Sequence, residues 1–492
     1  MSTAPTRDIG ETARGGLTNL TGAGFAGLAG LAVAWLVARS LGPAAAGVLF
    51  AAVAAFTLLA GVAKLGTPTG LVYWIARLRA QGRPEHAAAC LRTGLLPVAA
   101  AATALGAGLW LAAPWLATTL GGNASVLRTL APFLPLAALT DPVLAATRGY
   151  RLMRPTVTLD KLLRPGLQLL GIATLAAVTL WTAVPLAAWS LAWALPYLPV
   201  LLLAGYALRL AATPAPEPGP VAAFWRFTGP RAVASVLQLA LQRLDILLVA
   251  ALAGPAPAAV YAVAGRFVVL GQLANQAICH SAQPRLAERL GVGDRAGAGE
   301  LYRSATAWLV LTTWPLYLLV IGYAPVYLGV FGDGYRTGAQ VVVVLAAAML
   351  LATGCGMVDT LLAMAGRTRW NLLDVGIALA AMVAVDLVLI PRLGALGAAI
   401  GLATAVAVNN LLPLAQVGYA LRLHPFGAGT LTAAGLAAGC FGLLPALART
   451  MFGTGPAAVA GTLAIATAAY LAAAGRLRHR LALPPRRSSD EK

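Results

Sequence analysis

Charge is what this sequence has least of. Only 10% of its 492 residues are Asp, Glu, Lys or Arg, whereas soluble domains carry about 25%. With 60% hydrophobic residues and a mean hydropathy of +0.80, that deficit excludes a water-soluble fold. Cysteine is scarce too: Cys90, Cys279, Cys355 and Cys440 stand alone in or beside apolar stretches, with no CxxC and no nearby His pair. They read as small buried hydrophobes, so no disulfide framework, metal site or cofactor is expected. No short apolar core with a cleavage site follows MSTAPTRDIGETARGG, so the first helix is expected to stay in the mature protein. Nor does any long outer loop carry His-x-x-Asp or paired carboxylates, the acid–base groups a membrane polymerase or acyltransferase would need.

What is present is apolar length. A hydrocarbon core of about 30 Å takes about 20 apolar residues to cross as a helix, and fourteen such stretches occur. The first six lie near Leu17–Ala38, Ala45–Leu65, Thr93–Leu116, Thr129–Thr147, Leu162–Thr182 and Leu186–Leu208. Eight more follow, near Thr228–Ala253, Ala258–Gln283, Ser304–Val326, Gly338–Met364, Asn371–Ile390, Gly394–Ala420, Gly427–Leu447 and Pro456–Gly475. The 53 Gly and 31 Pro do not oppose this, because membrane helices tolerate both. The net charge of +19 sits in short loops, which marks orientation rather than a nucleic-acid ligand. With the N-terminus inside, the outer loops hold only Arg39, Arg128, Arg336, Arg392 and Arg449, while Arg148, Arg151, Arg154, Lys161 and Arg164 follow the fourth span on the inside. Both termini are therefore expected in the cytoplasm, and the basic tail from Arg476 to Arg487 reads as a topogenic signal or a contact for anionic lipid.

The chain also repeats. Gly42–Val48, GPAAAGV, matches Gly254–Val260, GPAPAAV, and the charged segment Gly82–Arg92 corresponds to Gly293–Arg303, at offsets of 212 and 211. A shared offset implies two six-helix copies, and six being even, both keep one orientation, related by an axis along the membrane normal. Between them Thr213–Pro220, TPAPEPGP, cannot be helical. The expected division is a cytoplasmic tail over 1–16, an N-lobe over 17–210, a Pro-rich linker over 211–222, a C-lobe over 223–421, two further helices over 422–475 and a basic cytoplasmic tail over 476–492. Two lobes about a cleft is the plan of an alternating-access transporter.

The segments ARSLGPAAAGVLF from Ala38, QRLDILLVAALAGPAPAAVYAVAGRF from Gln242, QPRLAERLGVGD from Gln283 and LIPRLGALGAAIG from Leu389 resemble the multidrug, oligosaccharidyl-lipid and polysaccharide exporter superfamily, in particular its polysaccharide and O-antigen flippase branch. The resemblance implies an all-α polytopic membrane protein of about fourteen helices: two parallel six-helix repeats in a V-shaped arrangement, with two C-terminal helices. It implies secondary-active export of an undecaprenyl-diphosphate-linked saccharide across the bacterial inner membrane. The partners it implies are the lipid-linked oligosaccharide and membrane lipid, with a polysaccharide polymerase and glycosyltransferases as candidate assembly partners and no nucleic acid. The alternatives are a cation-coupled multidrug antiporter of the same superfamily and a membrane polysaccharide-assembly enzyme. Peptidoglycan-precursor flippases of the superfamily carry charges in the first helix, and Leu17–Ala38 has none. That points away from lipid II and toward a capsule, exopolysaccharide or surface-glycan precursor.

A charge at the membrane centre costs about 2.5–3.5 kcal/mol on insertion scales, so each one needs a partner or a wet cavity. On the seventh span Arg231, Ser235, Gln238, Gln242 and Asp245 recur every three or four residues and share a face, as a cleft lining or as a hydrogen-bonded seam against a neighbouring helix. Arg243 lies eleven residues before Gly254 and Arg266 eleven after Pro255, about 16 Å below that turn in each case. Two guanidiniums at one depth suit a diphosphate, with the alternative that one of them neutralises Asp245 and only packs. Gln272 and Gln276, with Gln238 and Gln242, are candidates for sugar hydroxyls. Asp245, Asp141 and Asp359 are candidates for ion coupling. Asp386 fits a helix bend, and Lys64, near the inner end of the second span, reads more simply as snorkelling to headgroups.

Overall fold

The computed structural model describes residues 4–211, 221–453, 455–479 and 481. The described residues are 89% helical and include no strand, as a bilayer requires of a backbone that must satisfy its own hydrogen bonds. The linker Thr213–Pro220 and the tail beyond residue 481 lie outside the described residues. Thirteen described helices are long and apolar enough to cross a membrane, and the first is double. α1 (Ala4–Ala63) has 60 residues, about 90 Å of helix, or three bilayer cores. Gly42 breaks it at φ 69°, a conformation open to a residue without Cβ, and Pro43 presets the next turn. Divided there, the spans number fourteen.

Contacts divide the chain into two compact units, Met1–Val263 and Ala264–Lys492. The first holds α1, α2 (Thr67–Ala80), α3 (Pro84–Thr119), α4 (Ala124–Leu130), α5 (Leu134–Gly149), α6 (Arg164–Val178), α7 (Leu186–Ala194), α8 (Tyr197–Ala211), α9 (Val221–Ala253) and nearly all of α10 (Pro255–Ala264). A π-helical stretch, Thr156–Leu163, leads into α6. α1 packs on α9 and α6, α2 on α3 and α5, and α5 on α8. Leu71, Ile75, Cys90, Val143, Leu144 and Phe224 form one buried cluster of this unit. The division falls at 263/264 rather than at the linker, so the seventh span packs with the first six. The physical reason is a row of glycines. A Cβ on Gly61 would meet Leu239 at 1.9 Å, one on Gly66 the Ala232 backbone at 2.7 Å, and one on Gly70 the Thr228 hydroxyl at 2.3 Å. α9 lies that close because those positions carry no side chain.

The second unit holds α11 (Phe267–Gly291), α12 (Arg295–Gly322), α13 (Ala324–Gly329), α14 (Ala339–Cys355), α15 (Val358–Met364), α16 (Thr368–Leu393), α17 (Ala395–Leu421), α18 (Ala428–Ala437), α19 (Leu444–Phe452) and α20 (Pro456–Arg476). α12 packs on α11, α14 and α18, and α16 on α17. The LIPRLGALGAAIG segment is the α16–α17 turn: Gly394 takes φ 58°, and a Cβ on Gly397 would lie 2.5 Å from the Leu389 carbonyl carbon. α18, a π-helical stretch at Ala438–Leu443 and α19 together make the thirteenth span, α20 the fourteenth; Phe441 and Tyr470 pack between them, 5.1 Å apart.

The repeat survives in backbone geometry. Gly42 and Gly254 take φ of 69° and 92°, and Gly82 and Gly293 take 71° and 77°, so equivalent turns close the same way in both copies.

Candidate functional site

α9 carries the polar stripe, and its members divide into two kinds. Arg231, Ser235, Gln238 and Gln242 are exposed. Arg231 stacks over the Phe227 ring at 3.8 Å, and Ser235 returns its hydroxyl to the Arg231 carbonyl at 2.8 Å. No side-chain hydrogen bond joins any of the four to another helix among the described residues. A seam holding two helices together would have buried and paired them, so this face of α9 is an open polar surface.

Asp245 is the buried member, 3% exposed. Its Oδ1 accepts from the Ile246 backbone N–H at 2.7 Å and its Oδ2 from the Tyr261 hydroxyl at 2.5 Å. Both partners belong to the first unit. Spacing pointed to Arg266 as the neighbour at that depth, but the side chain actually bonded to the carboxylate is Tyr261. By the measure applied to the arginines, Asp245 is nine residues before Gly254 and Tyr261 six after Pro255, about 4.5 Å apart in depth, so equal spacing does not select this pair. Arg243 is half-buried beside it, near enough for its charge to act on Asp245, and its Nε is buried with no hydrogen-bond partner among the described residues.

Asp141 lies elsewhere in the first unit. α1 ends at Ala63, and the chain turns through Leu65 and Gly66, both at positive φ, before α2. Lys64 stands at that break and does not snorkel: its Nζ donates to Asp141 Oδ2. Asp141 comes from the middle of α5, one residue before Pro142. The ion pair is partly open, with the side chains 26% and 43% exposed. Arg164 and Arg148 also act on Asp141 electrostatically. Arg164 is itself bound to Asp160 at 2.8 Å and to the Tyr197 hydroxyl at 3.0 Å. Sequence spacing could not have found this group, because it depends on α1, α5 and α6 being neighbours in space.

In the second unit Arg266 is the residue just before α11, where the eighth span breaks at residues 265–266, and it acts electrostatically on the Tyr327 hydroxyl. Gln272 and Gln276 are exposed on α11. Asp359 is exposed on α15, its carbonyl accepting from Asn371 Nδ2 at 2.9 Å. Asp374, buried on α16 and held by Gln416 at 2.7 Å, is close enough to Asp359 to act on it. Asp386 is wholly buried against Gly401, where a Cβ would come within 1.9 Å of its Oδ1. The sequence-derived candidates therefore fall into two sets: Gln238, Gln242, Arg243, Asp245 and Asp141 in the first unit, and Arg266, Gln272, Gln276 and Asp359 in the second.

Two family models match the chain: that of the polysaccharide biosynthesis proteins over residues 12–289, and that of the MatE proteins over residues 230–389. No curated protein matches it significantly. Among solved structures, the lipid II flippase MurJ in an inward closed conformation is 12% identical, with a TM-score of 0.75 over 94% of this chain and 99% of that one. An inward-facing multidrug resistance MATE family transporter is 17% identical, with a TM-score of 0.64 over 83% and 99%. A MOP superfamily transporter from Pyrococcus furiosus, described as having a binding pocket of reversed polarity, is 17% identical, with a TM-score of 0.53 over 83% and 96%. At these identities the structures establish a shared fold.

Proposed function

Because the chain belongs to the polysaccharide biosynthesis protein family, within the flippase branch of the multidrug, oligosaccharidyl-lipid and polysaccharide exporter superfamily, we propose that it is a secondary-active flippase. Its substrate in this reading is an undecaprenyl-diphosphate-linked saccharide, moved from the inner to the outer leaflet of a bacterial cytoplasmic membrane by alternating access, with both termini cytoplasmic. The observation that carries the reading is the open polar face of α9, where Gln238 and Gln242 are exposed one turn apart beside Arg243. Amides of this kind hydrogen-bond sugar hydroxyls, and a guanidinium grips phosphate oxygens and stays charged when desolvated. Arg243 and Arg266 are the proposed diphosphate ligands, supported by their equal spacing from Gly254 and Pro255. Gln272 and Gln276 add amides for the glycan, and Asp245, Asp141 and Asp359 are the proposed ion-coupling carboxylates. A diphosphate with two negative charges gains about 4–5 kcal/mol per 100 mV, inside negative, when it moves outward uncompensated, so the membrane potential favours export. Polymerase and glycosyltransferases acting on the same glycan are the proposed assembly partners.

The test is flipping and binding of an undecaprenyl-diphosphate saccharide by purified protein in vesicles. Arg243→Ala and Arg266→Ala should each abolish flipping, and Lys should rescue partly, since it keeps the charge and loses the fork. A double Arg243→Ala, Arg266→Ala variant that binds as tightly as the parent would move the diphosphate site elsewhere. The MatE match over residues 230–389 supports a second reading, a cation-coupled multidrug antiporter. Under that reading the vesicles would extrude a cationic dye against an imposed ion gradient and leave the lipid-linked saccharide unmoved.

A further inference from the structure

Around the break between α1 and α2, six charged side chains form one connected group in the first unit. Lys64 is paired with Asp141; Arg148 and Arg164 act on Asp141; Arg164 is paired with Asp160; and Lys161 feels both Asp160 and Arg148. Four cations meet two carboxylates, an excess of two positive charges. That excess has no counterion among the described residues, and Arg148 Nε is buried without a hydrogen-bond partner. The group is not sealed: Lys64, Asp141, Arg164 and Asp160 keep 26%, 43%, 25% and 23% of their side-chain surface. Two of the cations are fixed by the fold. Lys64 is held at the helix break by Thr67, whose N–H and hydroxyl both bond the Lys64 carbonyl, at 2.9 and 2.8 Å, and Arg164 is clamped by Asp160 and Tyr197. An excess of two charges on positioned donors matches a dianionic diphosphate and leaves a neutral carboxylate-bearing group when it is filled.

We propose that Lys64, Arg148 and Arg164 form a second anion site for the diphosphate group, and that Asp141 is its resident counterion, occupying Lys64 until phosphate oxygens displace it. The proposal rests on the flippase reading for the identity of the diphosphate's carrier, while the site itself stands on the cluster. Displacement accounts for both halves of the geometry. A carboxylate bound to Lys64 keeps that cation paired while the site is empty, and its 43% exposure gives it room to swing away. Arg148 and Arg164 then act on the incoming phosphate as they now act on Asp141.

The probe is inorganic pyrophosphate, titrated by calorimetry onto the full chain in nanodiscs. The background is the Arg243→Ala, Arg266→Ala variant, so that binding reports the cluster alone. Asp141→Asn removes the competitor and should tighten binding about tenfold, whereas Lys64→Gln and Arg148→Gln should each weaken it about tenfold. Because Lys64→Gln leaves Asp141 without its cation, the double Lys64→Gln, Asp141→Asn variant, which removes both charges at nearly constant shape, is the folded control. It should bind more tightly than Lys64→Gln, which keeps the carboxylate, and more weakly than Asp141→Asn, which keeps the cation. No pyrophosphate binding in this background, or weaker binding in Asp141→Asn, overturns the proposal even if the parent flips lipid-linked saccharide. Pyrophosphate binding with this pattern upholds the site even if saccharide flipping is absent and the flippase reading falls.

Discussion

Removing one oxygen from Tyr261 should expose how Asp245 is held. The carboxylate is 3% exposed and accepts two hydrogen bonds, from Tyr261 to Oδ2 at 2.5 Å and from the Ile246 N–H to Oδ1 at 2.7 Å. Tyr261→Phe keeps the ring and leaves Oδ2 with no donor from that direction. Hydrogen bonds to charged groups contribute about 1.5–3 kcal/mol in soluble proteins, while interhelical bonds in membranes average about 0.6 and reach about 1.7 kcal/mol. A short bond to a buried carboxylate belongs at the upper end of the membrane range, so a coupling energy of about 1–2 kcal/mol is expected, a five- to thirtyfold shift in the unfolding equilibrium. The assay is a double-mutant cycle of Tyr261→Phe and Asp245→Leu, measured by reversible unfolding in mixed micelles. Leu matches Asp in reach and removes both acceptors, so the double variant should be less destabilised than the sum of the singles. Additivity within about 0.3 kcal/mol would mean that the hydroxyl does not hold the carboxylate.

Three further outcomes are expected. In a background lacking the four native cysteines, a membrane-impermeant thiol reagent applied outside should label Ser125→Cys and Gly334→Cys but not Gln81→Cys or Val292→Cys, and the reverse pattern would invert the orientation. These positions avoid Gly82, Gly121 and Gly293, whose positive φ would strain any cysteine placed there. Gly47→Ala should destabilise by about 1–3 kcal/mol, since its Cβ would fall 1.8 Å from the Pro255 carbonyl oxygen. Gly30→Ala, with nothing within 4 Å, should be neutral or gain up to about 1 kcal/mol in the same melts. Gly397→Ala should lower the yield of folded protein through the clash with Leu389, while Gly376→Ala on the same hairpin, which meets nothing, should not.

The spans and the repeat were legible in the sequence because each rests on a local property. Apolar length reports a bilayer crossing, and the paired Gly–Pro turns report equivalent hairpins through the φ they demand. The break at residues 265–266 was invisible, since a hydropathy window averages over a two-residue kink inside an apolar run, whereas the break at 64–66 falls where the second span was expected to end. Lys64 was read from depth alone, and depth cannot reveal that a carboxylate on α5 stands within reach. The packing of α9 with the first unit depends on Gly61, Gly66 and Gly70 admitting it, a tertiary fact carried by residues whose only signal is a missing side chain. Asp245 with Tyr261 shows the same limit: the two stand at unequal spacing from the Gly254–Pro255 turn, and attention to charge alone passed over the phenol.

The turn at Gly42 and Pro43 also bears on how the chain enters the membrane. If both termini are cytoplasmic, as proposed, this turn is carried through the bilayer, and with helix running to within a residue or two of it on either side it holds little polar surface beyond two peptide groups and the nearby Arg39. Dragging a hydrophilic loop across hydrocarbon is the costly part of threading a helix pair. Here the first two spans can leave the translocon as a single preformed hairpin, its orientation set by the basic residues that stay behind. The turn at Gly254 and Pro255 repeats the geometry midway along the chain, giving the second copy the same low-cost point of entry after the first has been laid down.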